Sequence, residues 1–193
     1  MHSTAVSLLD RLRQAPDEAS WDRLVKLYRP LILQWLQKDP TLHDEAEDLA
    51  QEVLVALVKE LPTFERQRTG SFRRWLGEIT HYRLLGFWRD RRNRARPEAN
   101  LPAESVLAGL ADPNSALSRQ WDQDHDRHVV ARGLELIKGD FSPTTWRAFR
   151  AVVFEERKPA DVAAELGLTP NAVMLAKSHV LKRLREEIAG LLD

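Results

Sequence analysis

Apolar residues recur at three- and four-residue intervals in almost every patterned stretch of this chain. No stretch sustains the two-residue alternation of a strand between turn signals. The periodicity restricts the chain to an all-α fold. Val6 to Gln14 predicts a first helix. A second follows Ser20 as N-cap, with Trp21, Leu24, Val25, Tyr28, Ile32 and Trp35 on its apolar side and Pro30 expected to kink or split it. Pro40 to His43 read as a turn, and Pro62 to Gly70 as a polar loop before Ser71, the expected cap of the next long helix. Four or five helices then make one bundle ending near Arg96. Proline, glycine and small residues dominate from Pro97 to about Ser118, so the chain divides into a domain over 1–96, a linker over 97–120 and a second helical domain over 121–193.

In the second domain Val129, Val130, Leu134, Leu136 and Ile137 begin a helical unit that Phe141 to Pro143 interrupt and Thr144 to Phe154 resume. The closing segment is more explicit. Pro159 suits the first turn of a helix, Gly167 its stop, and Thr169 with Pro170 the cap and first position of the next. Val162, Ala163, Leu166, Leu168, Val173 and Ala176 supply the small and apolar inner positions of two crossing helices. This is a helix-turn-helix pattern. Lys177, Lys182, Arg183 and Arg185 on its second helix favour DNA as the ligand.

Between residues 44 and 96 the charge reverses within a few turns. In DEAEDLAQEVLVALVKEL, Ala46, Leu49, Val53 and Leu57 share one side, and Asp44, Glu47, Asp48, Gln51 and Glu52 share the other. In GSFRRWLGEITHYRLLGFWRDRRNRAR, Arg73, Arg74, Arg83, Arg89, Arg91, Arg92, Arg94 and Arg96 interleave with Phe72, Trp75, Tyr82, Phe87 and Trp88, a mixture suited to nucleic-acid backbones and stacked bases. The formal net charge of +0, from 29 basic and 29 acidic residues, conceals this segregation. An acidic surface repels DNA, so the two helices imply two different partners. A repressor with a sensory bundle has no reason to carry such a pair.

Catalytic readings find little support. DQDHDRH, with Asp124 and His128 at i, i+4 and His125 beside Asp126, is the densest set of candidate metal ligands and the sole basis for a hydrolase. It reads instead as a polar, exposed helix start. There is no P-loop, G-x-S-x-G or G-x-G-x-x-G, so no enzyme activity, cofactor or metal is expected. The absence of cysteine fits a reducing compartment, no apolar run approaches the ~20 residues that span a bilayer, and the first residues are too charged for a secretory signal. A cytoplasmic protein without membrane insertion is expected.

Nearly the whole chain resembles the bacterial RNA polymerase sigma factors, in particular the compact extracytoplasmic-function (ECF) group with two main domains. DEAEDLAQEVLVAL is similar to that family's polymerase-binding helix, usually close to D-A-E-D-L-x-Q-E-x-F. The resemblance implies that Glu47, Asp48, Gln51 and Glu52 face core RNA polymerase, at the clamp helices of β′, with the β subunit as a further contact. GSFRRWLGEITHYRLLGFWRDRR resembles the helix that opens and reads the promoter -10 element, which assigns Arg66, Gln67, Arg68, Arg73, Arg74, Tyr82, Trp88 and Arg89 to DNA; Glu65 belongs to the same loop. Trp75 reads more readily as core, and Trp88 as either. The helix-turn-helix resembles the -35 reader, with Thr169, Asn171, Met174, Lys177 and Ser178 toward the groove and Lys182 toward phosphate. Tyr82 stands where the family often has Asn, Gly86 where it has Asp, and Met174 and Ala176 where basic residues are usual. Members are commonly held inactive by an anti-sigma partner or by their own domain packing.

Overall fold

The computed structural model describes residues 7–65, 71–94, 109, 112 and 114–192. These residues are helical with no strand among them, in the order α1 (Leu8–Gln14), α2 (Glu18–Leu36), α3 (Ala46–Glu60), α4 (Ser71–Arg94), α5 (Ala116–Ile137), α6 (Pro143–Val153), α7 (Pro159–Leu166) and α8 (Pro170–Ile188). Single 3-10 turns at Pro40–Leu42, Leu61–Thr63 and Lys138–Asp140 join them. The chain is all-α, as its periodicity requires.

Two compact units result, one of Leu8–Val129 with Gly190–Asp193 and the other chiefly Val130–Ala189. The division lies inside α5. It differs from the boundary expected at residue 121, because the first turns of α5 are not a free start after a linker. Trp121, His125 and Val129 are buried in the N-terminal unit. The 97–120 stretch lies largely outside the described residues.

In the N-terminal unit, the cap of α2 lies three residues earlier than expected. The Asp17 carboxylate accepts the Ser20 backbone N–H at 2.6 Å, so Asp17 is the N-cap and Ser20 lies within the first turn. The helix also runs through Pro30 to Leu36 without a break. Proline there forgoes one backbone bond, and the buried Leu27, Tyr28, Leu31 and Ile32 on either side outweigh that loss. The buried stripe runs through Leu24, Leu27, Leu31 and Trp35, leaving Trp21 and Val25 half-buried at its margin. Helix α3 buries Leu49, Val53, Leu54 and Leu57 against it. Ser71 is the first residue of α4, and its buried hydroxyl has no hydrogen-bond partner among the described residues, so it is not seen acting as the expected cap.

The C-terminal unit follows the local signals closely. Ser142 caps α6 by accepting from Thr145 N–H, and Thr169 caps α8 by accepting from Ala172 N–H at 3.1 Å. Between α7 and α8, Gly167 takes φ 66° and ψ 34°, the left-handed conformation that a Cβ penalises. The core is built from Ala148, Ala151, Val162, Ala163, Val173 and Ala176, with Leu166 and Leu168 packed at its edge. Small residues at these positions let three helix backbones approach closely, the frame of a helix-turn-helix.

Two glycines separate conformational from packing effects. Gly167→Ala is expected to lower the stability of the C-terminal unit by about 1 kcal/mol through its positive φ. Gly86 lies in the middle of α4 with nothing within 4 Å of an added Cβ. Gly86→Ala is expected to raise stability by about 0.5–1 kcal/mol through helix propensity alone. Urea unfolding of each variant against the parent reads both signs.

Candidate nucleic-acid interface

Helix α3 turns Glu47, Asp48, Gln51 and Glu52 to solvent on one arc, as its sequence pattern predicts. Val55 lies on the same arc at 41% exposure, an apolar side chain amid the acids. Its spacing from Gln51 and Glu52 (i+4 and i+3) places it on their side of the helix. Glu47 is held by Arg29 of α2 at 2.6 Å, which leaves Asp48, Gln51 and Glu52 as the less encumbered polar groups of the arc.

Helices α3 and α4 pack side by side and share a cleft of about 780 Å³ whose walls include Asp48 and Glu52 on one side and Tyr82, Arg83 and Phe87 on the other. Ion pairs cross between acidic and basic elements, Arg91 to Glu45 at 3.1 Å and Arg83 to Glu60 at 3.8 Å. Exposed pairs of this kind are worth little to stability, roughly 0–1 kcal/mol. Their effect is to occupy particular arginines.

On α4 the arginines and aromatics divide between an outward and an inward face, each face holding both kinds. Tyr82, Leu85 and Arg89 are exposed on one stripe, Tyr82 at 69%, and Arg74 and Trp75 continue that stripe toward the start of the helix, half-buried. Arg74 pairs only loosely with Glu78 at 3.8 Å. Phe64 stacks on Trp75 with ring centroids 4.6 Å apart and meets Phe72 edge-on. A second cleft of about 520 Å³ lies here, lined by Phe64, Glu65, Ser71, Arg74 and Trp75 among others. Arg66, Gln67 and Arg68 lie outside the described residues.

Two expected DNA contacts face the other way. Trp88 is 5% exposed and belongs to the core, with the Arg91 guanidinium 5.6 Å from its ring. Its position, six residues after Tyr82, carries it well off the outward stripe. Arg73 points into the unit, where it pairs with Asp122 and Asp126, each at 3.2 Å, and donates to the Leu192 carbonyl at 3.3 Å. Its neighbour Arg74 is the one left near the surface.

The acids that hold Arg73 come from DQDHDRH, and the expectation of an exposed helix start fails there. His125 is fully buried between Tyr28, whose hydroxyl lies 3.3 Å from Nε2, and Asp126, 3.1 Å from Nδ1. His128 Nε2 lies 2.6 Å from the Leu27 carbonyl, and Lys38 pairs with Asp124 at 3.0 Å while resting on the Trp35 ring. Trp121 donates its indole N–H to the Arg73 carbonyl at 2.9 Å and packs edge-on against Trp35. Gly77 admits it, since a Cβ there would lie 3.2 Å from the indole nitrogen. These residues tie α5 to α2 and α4. Among the described residues no three His, Asp or Glu side chains gather as metal ligands, and both histidines of the motif have protein partners.

Electrostatics inside this seam follow from burial. Burial lowers the His125 pKa below its ordinary value and raises that of Tyr28 well above its own. Burial also pushes the Asp126 carboxyl up, but the hydrogen bond from His125 and the charge of Arg73 outweigh it and hold Asp126 below the usual range. The consistent proton arrangement is a neutral imidazole donating from Nδ1 to Asp126 and accepting the Tyr28 proton at Nε2.

In the C-terminal unit Asn171, Met174 and Ser178 are exposed, as is Thr169 ahead of them, while Val173, Ala176, Val180 and Leu184 are buried. Lys177 is half-buried, beside the inward stripe, and Leu175 at 48% exposure takes the outward place beside Met174. Lys182 is exposed and pairs only at 3.9 Å with Glu186. Arg183 is held by Asp140 and by the buried Glu187, both at 2.9 Å, and so does not stand with the other cations. Ala176 is buried in the core of the unit.

A model of the Sigma-70 region 2 family matches residues 24–94, from within α2 to the last residue of α4. The chain is also 24% identical over 185 residues to the ECF RNA polymerase sigma factor RpoE of Cereibacter sphaeroides, covering 95% of this chain and 94% of that one. The two matches together support a sigma factor of the ECF type, with a role in transcription initiation. Both faces described on α3 and α4 fall inside the region 2 match, and so does Arg73, whereas its partners Asp122 and Asp126 lie beyond it. No helix among the described residues is long and apolar enough to cross a membrane.

The seam sets a pH dependence. Because His125 is harder to protonate folded than unfolded, the unfolded chain gains protons first as pH falls through about 6.5, and stability declines from there downward. Asp126, depressed when folded, adds a loss of the same sign at lower pH. Urea unfolding between pH 7.5 and 5 is expected to show this decline. His125→Gln should start about 1–2 kcal/mol lower at pH 7.5 and lose less across the same interval.

Proposed function

We propose that this sigma factor binds core RNA polymerase through the outward face of α3, opens and holds the promoter -10 element with α4 and the loop before it, and reads the -35 element with α8. The observation that carries the reading is the separation of faces on two adjacent helices within the region 2 match, acids with Val55 on α3 and Arg74, Tyr82 and Arg89 on α4. Asp48 and Glu52, with Gln51 between them, meet a basic helical surface on the polymerase, the β′ clamp helices, while Val55 supplies apolar contact at the centre; the β subunit is a second contact. On α4, Arg74 and Arg89 hold the phosphates of one separated strand, Tyr82 offers a stacking face, and the cleft beside Phe64 and Trp75 receives an unstacked base together with Arg66, Gln67 and Arg68. Arg73 and Trp88 are assigned instead to holding α4 in place. Such a protein directs initiation in the cytoplasm and has no catalytic step of its own; an anti-sigma factor that covers the α3 face would silence it.

Asp48→Lys with Glu52→Lys is expected to abolish association with core RNA polymerase while the urea midpoint moves little, since both side chains are exposed. Undiminished association of the folded variant would overturn the polymerase assignment. Replacing Arg66, Arg68 and Arg74 by Ala is expected to reduce permanganate reactivity of promoter thymines far more than polymerase association. The matching Arg73→Ala variant is expected to act mainly on stability, because it leaves Asp122 and Asp126 without their cation.

A further inference from the structure

The outward stripe of α8 is uncharged through its first turns. Asn171, Met174, Leu175 and Ser178 stand at i, i+3, i+4 and i+7, all exposed, opposite the buried Val173, Ala176 and Val180. Met174 is 41% and Leu175 48% exposed, so two large apolar side chains sit next to each other where a merely solvated helix carries polar ones. Cations stand around this stripe and not within it. Lys182 and Arg185 are exposed further along the helix, Lys177 is half-buried at its flank, and no acid occurs from Pro170 to Arg185. Such a surface complements a duplex, with base edges at its middle and phosphates at its margins. The distance from Asn171 to Ser178 along the helix is roughly 10 Å, or about three base pairs.

The chemistry of the stripe selects among bases. Guanine is read best by Arg or Lys at O6 and N7, and the stripe offers neither. An Asn amide matches N6 and N7 of adenine, and apolar side chains match the C5 methyl of thymine. We infer that α8 reads its target through A·T pairs, with Asn171 on an adenine and Met174 and Leu175 on thymine methyl groups. This rests on the proposed reading of α8 as the -35 helix and specifies what that helix recognises. Leu175 thereby becomes a specificity residue, and Lys177 does not.

The test uses the full-length chain bound to core RNA polymerase to select duplexes from a pool randomised over the -35 segment. Thymines of the selected sequence are then replaced one at a time by deoxyuridine, which lacks only the methyl group. The expected result is an A·T-rich core in which at least one replacement weakens binding about fourfold, the worth of one buried methyl-sized group. Met174→Ala with Leu175→Ala should erase that sensitivity, whereas Lys177→Ala should leave base preference as it was. Both apolar side chains are exposed, so the double variant is expected to fold, and its urea midpoint verifies this. A G·C core, or thymines whose methyl groups can be removed without effect, overturns the inference while the -35 reading stands. Failure to enrich any -35 sequence overturns both. If the double variant keeps the selected preference and loses polymerase association instead, the patch contacts protein and the inference is overturned.

Discussion

Everything on the surface of the N-terminal unit depends on how the first turns of α5 are held against α2 and α4. Trp121 reaches the Arg73 carbonyl across Gly77, His125 is enclosed between Tyr28 and Asp126, and Arg73 answers Asp122 and Asp126. A buried neutral histidine with both ring nitrogens engaged is stable only while its partners stay in register. Together with the buried Phe72, Leu76, Ile79 and Leu84, this register holds α4 with Arg73 inward and Arg74, Tyr82 and Arg89 toward the outside, so a polar seam helps to decide which part of the basic helix is presented.

The acidic and basic helices are also less independent than their opposite charges suggest. They pack against each other, share the wall of one cleft, and exchange ion pairs that occupy Glu45, Glu60, Arg83 and Arg91. These pairs contribute little free energy, but they thin both surfaces down to a few groups. Asp48, Gln51 and Glu52 remain on one and Arg74, Tyr82 and Arg89 on the other. Two partners of opposite charge can then engage neighbouring surfaces without either meeting an uninterrupted field of the wrong sign.

The functional classes follow from pattern alone, but individual residues do not. The helix-turn-helix is legible down to Gly167 and the Thr169 cap, and Val162, Ala163, Val173 and Ala176 are buried as read. Glu47, Asp48, Gln51 and Glu52 are likewise exposed together. By contrast Arg73 and Trp88 have the right chemistry for DNA and the wrong side of the helix, Lys177 yields its outward place to Leu175, and DQDHDRH, which reads as a solvated segment, forms the seam. Charged and histidine side chains in a row ordinarily signal solvent, and only partners nearly a hundred residues away, Tyr28 and Leu27, reverse that reading.

What the sequence by itself determined is therefore what neighbouring residues control: the all-α class, the positions of turns, the αL glycine, the caps of α6 and α8, and the polarity of each helix, since these depend on contacts a few residues apart. Tertiary structure alone decided which cations are spent inside and which are left for a ligand. In α4 the arginines are spread around the helix, and which of them turn inward is settled by the buried Phe72, Leu76, Ile79 and Leu84 together with acids supplied by α5. A charge whose partner lies some fifty residues along the chain is settled by packing, and no local pattern encodes it.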